Sequence, residues 1–323
     1  MGWRSRVRTW APGKDGETRP RRTSGSQGYD TRGEPLAFRV PRNLAASSGD
    51  ERSRWLQALP SVVADVSHRW HLRVGEPFEP GGDTAWVAPA RTADNREAVL
   101  KLAWRHTEAL HEAAGLRVWN GDGAVRVYAD DESEDTLVLL LERCVPGEEL
   151  RTLPEGGQDV VIAGLLQRLW REPPVGHAFR PLQDMCDFWA DRFEEDARAA
   201  VAIGDPGLVG EGMHLLRTLP ASADRNLLLC TDLHAGNVLR SRREPWLMID
   251  PKPYVGDPHY DVLQHMYNCL DRLRTDPRAL AERMAGLLDL DAERVLLWLF
   301  ARCVEESSRR PEFADVARLV APR

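Results

Sequence analysis

The stretch Leu227-Leu228-Leu229-Cys230-Thr231-Asp232-Leu233-His234-Ala235-Gly236-Asn237-Val238-Leu239, followed by Trp246-Leu247-Met248-Ile249-Asp250-Pro251, decides the fold. Two short apolar runs each lead into polar residues able to do chemistry. Asp232 follows the first run, Asn237 stands five residues later, and Asp250 closes the second run. Moving a phosphoryl group from ATP requires a carboxylate beside the acceptor hydroxyl and two oxygen ligands for magnesium. Asp232 can be the first, Asn237 and Asp250 the second and third. Loops rich in Asp and Asn also use these side chains simply to cap turns. Three residues of the right chemistry at these intervals favour the phosphoryl-transfer reading.

The chain has 323 residues, enough for one large domain or two lobes with a real core. Its 42% hydrophobic and 29% charged content is that of a globular protein. The longest apolar runs, Val160–Leu166 and Val295–Ala301, are too short to span a bilayer, so no membrane partner is expected. The net charge of −7 hides an asymmetry: residues 1–43 carry ten Arg/Lys against four Asp/Glu, leaving −13 on the remainder. An acidic body argues against nucleic acid and favours a cationic partner. The five cysteines (144, 186, 230, 269 and 303) show no paired short spacing. Neither a disulfide framework nor a zinc site is expected, and the cytoplasm is the simplest location.

Residues 1–36 mix Arg, Gly, Ser, Pro and Thr without apolar periodicity. They are expected to be a disordered or non-native extension, with folded sequence beginning near Phe38. No apolar stretch follows Arg21-Arg22, and Asp15, Glu17, Asp30 and Glu34 argue against a targeting segment. From Ser53 a helical pattern runs through Trp55, Leu56, Leu59, Val62, Val63 and Val66. Strands are expected over 72–77, 84–88, 98–102, 124–129 and 136–142, with a helix over 107–119. Beyond Leu150 the pattern is mainly helical, apart from the strand-loop-strand at 227–250. The expected fold class is α+β: a small antiparallel β lobe over 37–143 and a larger helical lobe over 144–323, with a nucleotide cleft between them.

Lys101 ends the apolar strand Ala98-Val99-Leu100, where an ammonium can pair with the α and β phosphates of ATP. Glu112, with Glu108 one turn before it, is the candidate to hold that lysine. In Pro80-Gly81-Gly82-Asp83 the glycines Gly81 and Gly82 permit backbone N–H groups to approach phosphates, although the full G-x-G-x-x-G spacing is absent. Backbone groups from Glu142 to Cys144 are candidates to face adenine. His234 lacks a second His at helical spacing and is assigned to shaping the catalytic loop. Asp257 is expected to cap a helix beginning at Pro258, and Asp261 to brace the catalytic loop from its first turn. Asp184, Asp187 and Asp191 recur at i, i+3 and i+7 as a strip of carboxylates, to which Glu305 could add. Such a strip is commonly just a solvated face. Turned toward the acceptor, it would attract a cation.

The step from Asp232 to Asn237 is also that of the protein-kinase catalytic loop. Further motifs fall in order: Gly75-Glu-Pro-Phe78, Ala85-Trp-Val87, Ala98-Val-Leu-Lys101, Gly121-Asp-Gly-Ala-Val-Arg126, Leu139-Leu-Leu-Glu-Arg143, Ile249-Asp-Pro-Lys252 and Gly256-Asp-Pro258. Over residues 38–321 the chain resembles the aminoglycoside phosphotransferases, in the branch of streptomycin 6-kinases and hydroxyurea phosphotransferases. The resemblance implies a protein-kinase-like fold, ATP with Mg2+, and transfer of the γ-phosphate to a hydroxyl of a small molecule. It implies Asp232 as catalytic carboxylate, Asn237 and Asp250 as metal ligands, and Lys101 as nucleotide lysine. One departure is that Cys230-Thr231 replaces the His-Gly usual before the catalytic Asp. Alternatives are a metabolic kinase for another sugar or alcohol and a catalytically silent nucleotide-binding regulator. The intact set of Asp232, Asn237 and Asp250 argues against the silent protein.

Overall fold

The computed structural model describes residues 38–46, 49–195 and 201–322. The extension expected over residues 1–36 lies outside the described residues. After the short helix α1 (Arg42–Ala45), the apolar stripe of α2 (Asp50–Arg69) buries Trp55, Leu59 and Val66. That stripe meets one face of an antiparallel sheet: β1 (Arg73–Val74), β2 (Ala85–Arg91), β3 (Glu97–Trp104), β4 (Val127–Glu132) and β5 (Thr136–Glu142), in the order β1-β2-β3-β5-β4. Trp86, Ala88, Leu100, Leu102, Val138 and Leu140 complete this core, alternating along their strands as a half-buried sheet requires. The indole of Trp55 donates to the Thr136 hydroxyl at 2.9 Å, so the helix is fixed to β5 by a buried polar contact as well. The strand expected over 72–77 shrinks to β1, because Pro77 and Pro80 offer no N–H to a ladder. Only isolated bonds follow it, Gly75 N–H to Pro89 O at 2.8 Å and Phe78 N–H to Val87 O at 2.9 Å.

This first unit holds the described residues up to Leu110 together with Val127–Arg143, while His111–Arg126 belongs with the larger unit. The sequence placed that segment inside the β lobe, and local contacts explain the difference. The expected helix over 107–119 breaks into a 3₁₀ turn at Thr107–Ala109 and the α-helix α3 (Glu112–Trp119), which ends at left-handed Asn120. Gly115 of α3 lies so close to Pro253 that a Cβ would come within 2.4 Å of its ring. The Trp119 indole donates to Leu169 O at 2.8 Å. Ala124 bridges Met248, and Val125 N–H donates to Met248 O at 3.0 Å. The expected strand over 124–129 is thus divided: its first residues pair in the larger unit, and β4 begins only at Val127.

The larger unit is built around α11 (Ala292–Glu306), which buries residues on every side, Val295, Trp298, Phe300 and Val304 among them. Packed around it are α5 (Leu182–Glu195), α6 (Pro206–Thr218), α10 (Pro277–Leu288) and α12 (Glu312–Val320). α4 (Glu155–Leu169) lies against α10, which follows the short helices α8 (Leu263–Asn268) and α9 (Leu270–Thr275). Two small sheets present the segment that holds Asp232, Asn237 and Asp250. One orders β6 (Pro146–Glu149), β9 (Val238–Ser241) and β10 (Trp246–Met248); in the other, β11 (Tyr254–Gly256) lies between β7 (Arg180–Pro181) and β8 (Leu227–Leu229). No helix among the described residues is long and apolar enough to cross a membrane.

Gly115→Ala tests the placement of α3. Helix propensity alone would stabilise the variant by about 1 kcal/mol. The crowding against Pro253 is expected to reverse this to a loss of about 1–3 kcal/mol in urea unfolding. A stability equal to or above wild type would contradict this seating of α3.

Candidate active site

β8 is buried along its whole length and delivers Cys230, Thr231 and Asp232 at its end. Thr231 adopts φ +50°, a left-handed conformation that a β-branched residue rarely takes. The resemblance places glycine at this position, and the backbone shows why glycine suits it. Thr231 is held there by its N–H donating to Asp261 Oδ1 at 2.6 Å and by its hydroxyl donating to Lys252 O. Cys230 fills the place of the family's histidine as a fully buried thiol, pushed well above its ordinary pKa by burial and then by the Asp261 carboxylate. It is a packing residue and not a nucleophile.

The register of one hairpin brings the two expected metal ligands together. Val238 of β9 pairs with Met248 of β10, and just beyond, Ile249 N–H donates to Asn237 O at 2.9 Å. Asn237 and Asp250 therefore stand at the same end of the ladder. Asp250 turns out of the strand at φ +53° with its side chain exposed. The Asn237 side chain donates from Nδ2 to the backbone O of Asp232 at 3.0 Å, so its amide oxygen is the atom it can offer a metal. The Asp232 carboxylate lies 3.1 Å from Lys252 Nζ. Lys252 N–H in turn donates to Cys230 O at 2.9 Å, closing the segment after Asp250 onto the catalytic loop. His234 accepts at Nδ1 from Gly236 N–H at 3.0 Å. Burial first, then the charge of Arg151, pushes its pKa down to about 4, so it is neutral at pH 7 and acts as a turn-former.

The supports lie in α7 (Pro258–Asp261). Asp257 caps this helix by accepting from His259 N–H at 3.0 Å, with proline at the first position. Its other oxygen accepts from Arg294 Nε at 2.6 Å and Trp298 Nε1 at 2.7 Å, tying α7 to α11. Burial raises the Asp257 pKa, but hydrogen bonds from His259 and Trp298 outweigh it and hold the carboxyl below its ordinary value. Asp261 accepts from the N–H groups of Cys230 and Thr231 and, at 2.9 Å, from the Trp170 indole. Here burial outweighs the hydrogen bonds and the pKa is raised.

The remaining candidates fall in other places. Lys101 is buried on β3, in register with Val87 of β2 and Leu139 of β5. Glu142 ends β5, half-buried, while Glu112 and Cys144 are buried in the larger unit. Gly81, at φ +74°, packs beneath Pro41, with room of only 2.5 Å for a Cβ, and its carbonyl accepts from the Asn43 side chain at 2.8 Å. Turn geometry accounts for Gly81, whereas Gly82 has open space above its Cα. The acidic strip on α5 has an unforeseen counter-ion. Arg217 lies 2.8 Å from Asp191, 2.9 Å from Glu194 and 3.8 Å from Asp187, and Asp184 is exposed. Glu305 is a correction: it is 2% exposed and closed in ion pairs with Arg302 and Arg309, so it is not presented to an acceptor. Sequence spacing also gave no signal for a buried cluster of Asp159, His265 and Cys269. Arg272 and Arg283 already occupy that carboxylate, at 3.0 and 2.6 Å, which marks the cluster as a brace for α4 and α10 and not a cation site.

These two units form a protein-kinase-like fold. A choline kinase from Streptococcus pneumoniae shares it at a TM-score of 0.55 and 14% identity, over 79% of this chain and 90% of its own. The family described as aminoglycoside/hydroxyurea antibiotic resistance kinase matches residues 69–313. Streptomycin 6-kinase of Streptomyces glaucescens is 34% identical over 283 residues, covering 83% of this chain and 89% of that one. Hydroxyurea phosphotransferase of Kitasatospora aureofaciens is 36% identical over 268 residues, 81% of this chain and 76% of that one. The chain belongs to the aminoglycoside/hydroxyurea antibiotic resistance kinase family and is a phosphotransferase.

The strain at Thr231 can be measured. Thr231→Ala keeps a Cβ at positive φ and loses the hydroxyl bond, a loss of about 1 kcal/mol. Thr231→Gly loses the same bond but releases about 1–2 kcal/mol of left-handed strain. Urea unfolding should therefore rank the glycine variant above the alanine variant, and the opposite order would refute the strain.

Proposed function

We propose that this protein transfers the γ-phosphate of ATP to a hydroxyl of an aminoglycoside-type antibiotic of the streptomycin class or of hydroxyurea. The observation that carries this reading is the convergence of Asp232, Asn237 and Asp250 on one end of the β9–β10 ladder. Asp232 takes the proton of the acceptor hydroxyl. The acceptor oxygen bonds to the γ-phosphorus as the bond to the β,γ-bridging oxygen breaks, and that electron pair leaves on ADP. The donor set fits magnesium, because an exposed carboxylate at Asp250 and an amide oxygen at Asn237 are hard oxygen ligands. Bound there, Mg2+ supplies charge neutralisation of the phosphates. The buried Lys101 is assigned to the α and β phosphates.

A coupled ADP-release screen over streptomycin-class aminoglycosides, hydroxyurea, amino sugars and neutral sugars tests this. Magnesium-dependent release with an aminoglycoside or hydroxyurea is the expected result. Release with neutral sugars alone would assign the chain to a metabolic kinase. No release with any acceptor would overturn the reading.

A cationic acceptor is favoured by the strip on α5. Asp187, Asp191 and Glu194 share the single guanidinium of Arg217, so the group keeps two net negative charges, with Asp184 beside it. Asp187→Asn combined with Asp191→Asn should raise the acceptor KM several-fold at low salt and leave the ATP KM unchanged. The effect should fade as salt screens charges beyond about 8–10 Å. Stability should change by less than about 1 kcal/mol, since exposed ion pairs contribute little. An acceptor KM unmoved at low salt would return the strip to ordinary solvated surface.

A further inference from the structure

Lys252 touches the Asp232 carboxylate, and neither the spacing of the motifs nor the family resemblance assigns it a part in the reaction. Its Nζ lies 3.1 Å from Asp232 Oδ2. Its backbone is fixed on both sides to the two residues preceding Asp232: its N–H donates to Cys230 O at 2.9 Å, and its carbonyl accepts from the Thr231 hydroxyl. Pro251, with φ restricted by its ring, leads into it from Asp250. The ammonium is therefore carried to Asp232 by the same segment that carries the second metal ligand.

We propose that Lys252 is a positioning residue for phosphoryl transfer, holding one oxygen of the Asp232 carboxylate so that the other faces the acceptor hydroxyl. This rests on the phosphotransfer reading of Asp232. Folding does not account for the pair. Asp232 is only 14% exposed, but Lys252 at 35% keeps part of its hydration, and an ion pair screened in this way adds little to stability. Orientation is where the pair matters, because a base displaced by an ångström costs about a hundredfold in rate. Cys230, Thr231 and Lys252 then work as one unit. The hydroxyl of Thr231, absent from a glycine, fixes the carbonyl of the residue that orients the base.

The test is steady-state ADP release from Mg·ATP, with streptomycin or hydroxyurea as acceptor and in parallel with water alone. Lys252→Met should lower kcat by about 10–100-fold, with KM for ATP and for the acceptor within twofold and an unchanged melting temperature. Lys252→Cys alkylated with 2-bromoethylamine restores an ammonium at nearly the same reach and should recover most of the lost kcat. The five native cysteines are all buried, so the reagent finds the new one. The inference fails if Lys252→Met matches wild type or exceeds it, if its loss appears in KM or in melting temperature, or if the alkylated variant does not recover. A wild-type protein without ADP release in any of these assays overturns the phosphotransfer reading and this inference together. An active wild type equalled by Lys252→Met overturns this inference alone.

Discussion

The segment that carries Asp232 depends on one buried carboxylate. Asp261 is fully enclosed, and a charge removed from water is expensive unless hydrogen bonds replace its hydration. Its partners are the N–H groups of Cys230 and Thr231, at 3.0 and 2.6 Å, and the Trp170 indole at 2.9 Å. Two of these three donors are the backbone immediately before Asp232, so satisfying Asp261 and placing the Asp232 carboxylate are one requirement. The same short helix is anchored at its other end by Asp257, which Arg294 and Trp298 tie to the central helix. Position therefore passes from the hydrophobic core of the larger unit to Asp232 through two buried aspartates.

Backbone strain sits at both ends of this arrangement. Thr231 at φ +50° and Asp250 at φ +53° are non-glycine residues in the left-handed region, each costing about 1–3 kcal/mol. They persist because neighbouring bonds over-determine them: the Asp261 and Lys252 contacts around Thr231, and the pairing of Ile249 with Asn237 beside Asp250. The consequence is a loop whose geometry is set before any ligand arrives, which suits electrostatic catalysis by fixed groups.

Much of this was legible in the amino-acid sequence because chemistry and spacing coincide there. The intervals among Asp232, Asn237 and Asp250 are local, and a tight hairpin fixes how they meet. β5 over Thr136–Glu142 is likewise a continuous apolar run whose bounds need no tertiary context. What escaped the sequence was partnership. Ala124 and Val125 look like a strand, but period-two patterning does not say which sheet a strand joins, and they pair with Met248. Glu305 and the strip of Asp187 and Asp191 counted as negative field, yet Arg302, Arg309 and Arg217 come to them from elsewhere in the chain or in the turn. Lys252 was visible only as a member of a motif. Its contact with Asp232 needs the fold of the segment that carries it.

The most direct test of the site is calorimetric titration of Mg·ATP into wild type, Asp232→Asn and Asp250→Asn, with turnover measured on the same samples. The expected result separates the two aspartates. Asp232→Asn should bind Mg·ATP as wild type does while turning over about 10²–10⁴-fold more slowly, as loss of a general base requires. Asp250→Asn should weaken the binding itself. Wild-type protein that binds no Mg·ATP, or an Asp232→Asn variant with undiminished turnover, would contradict the assignment.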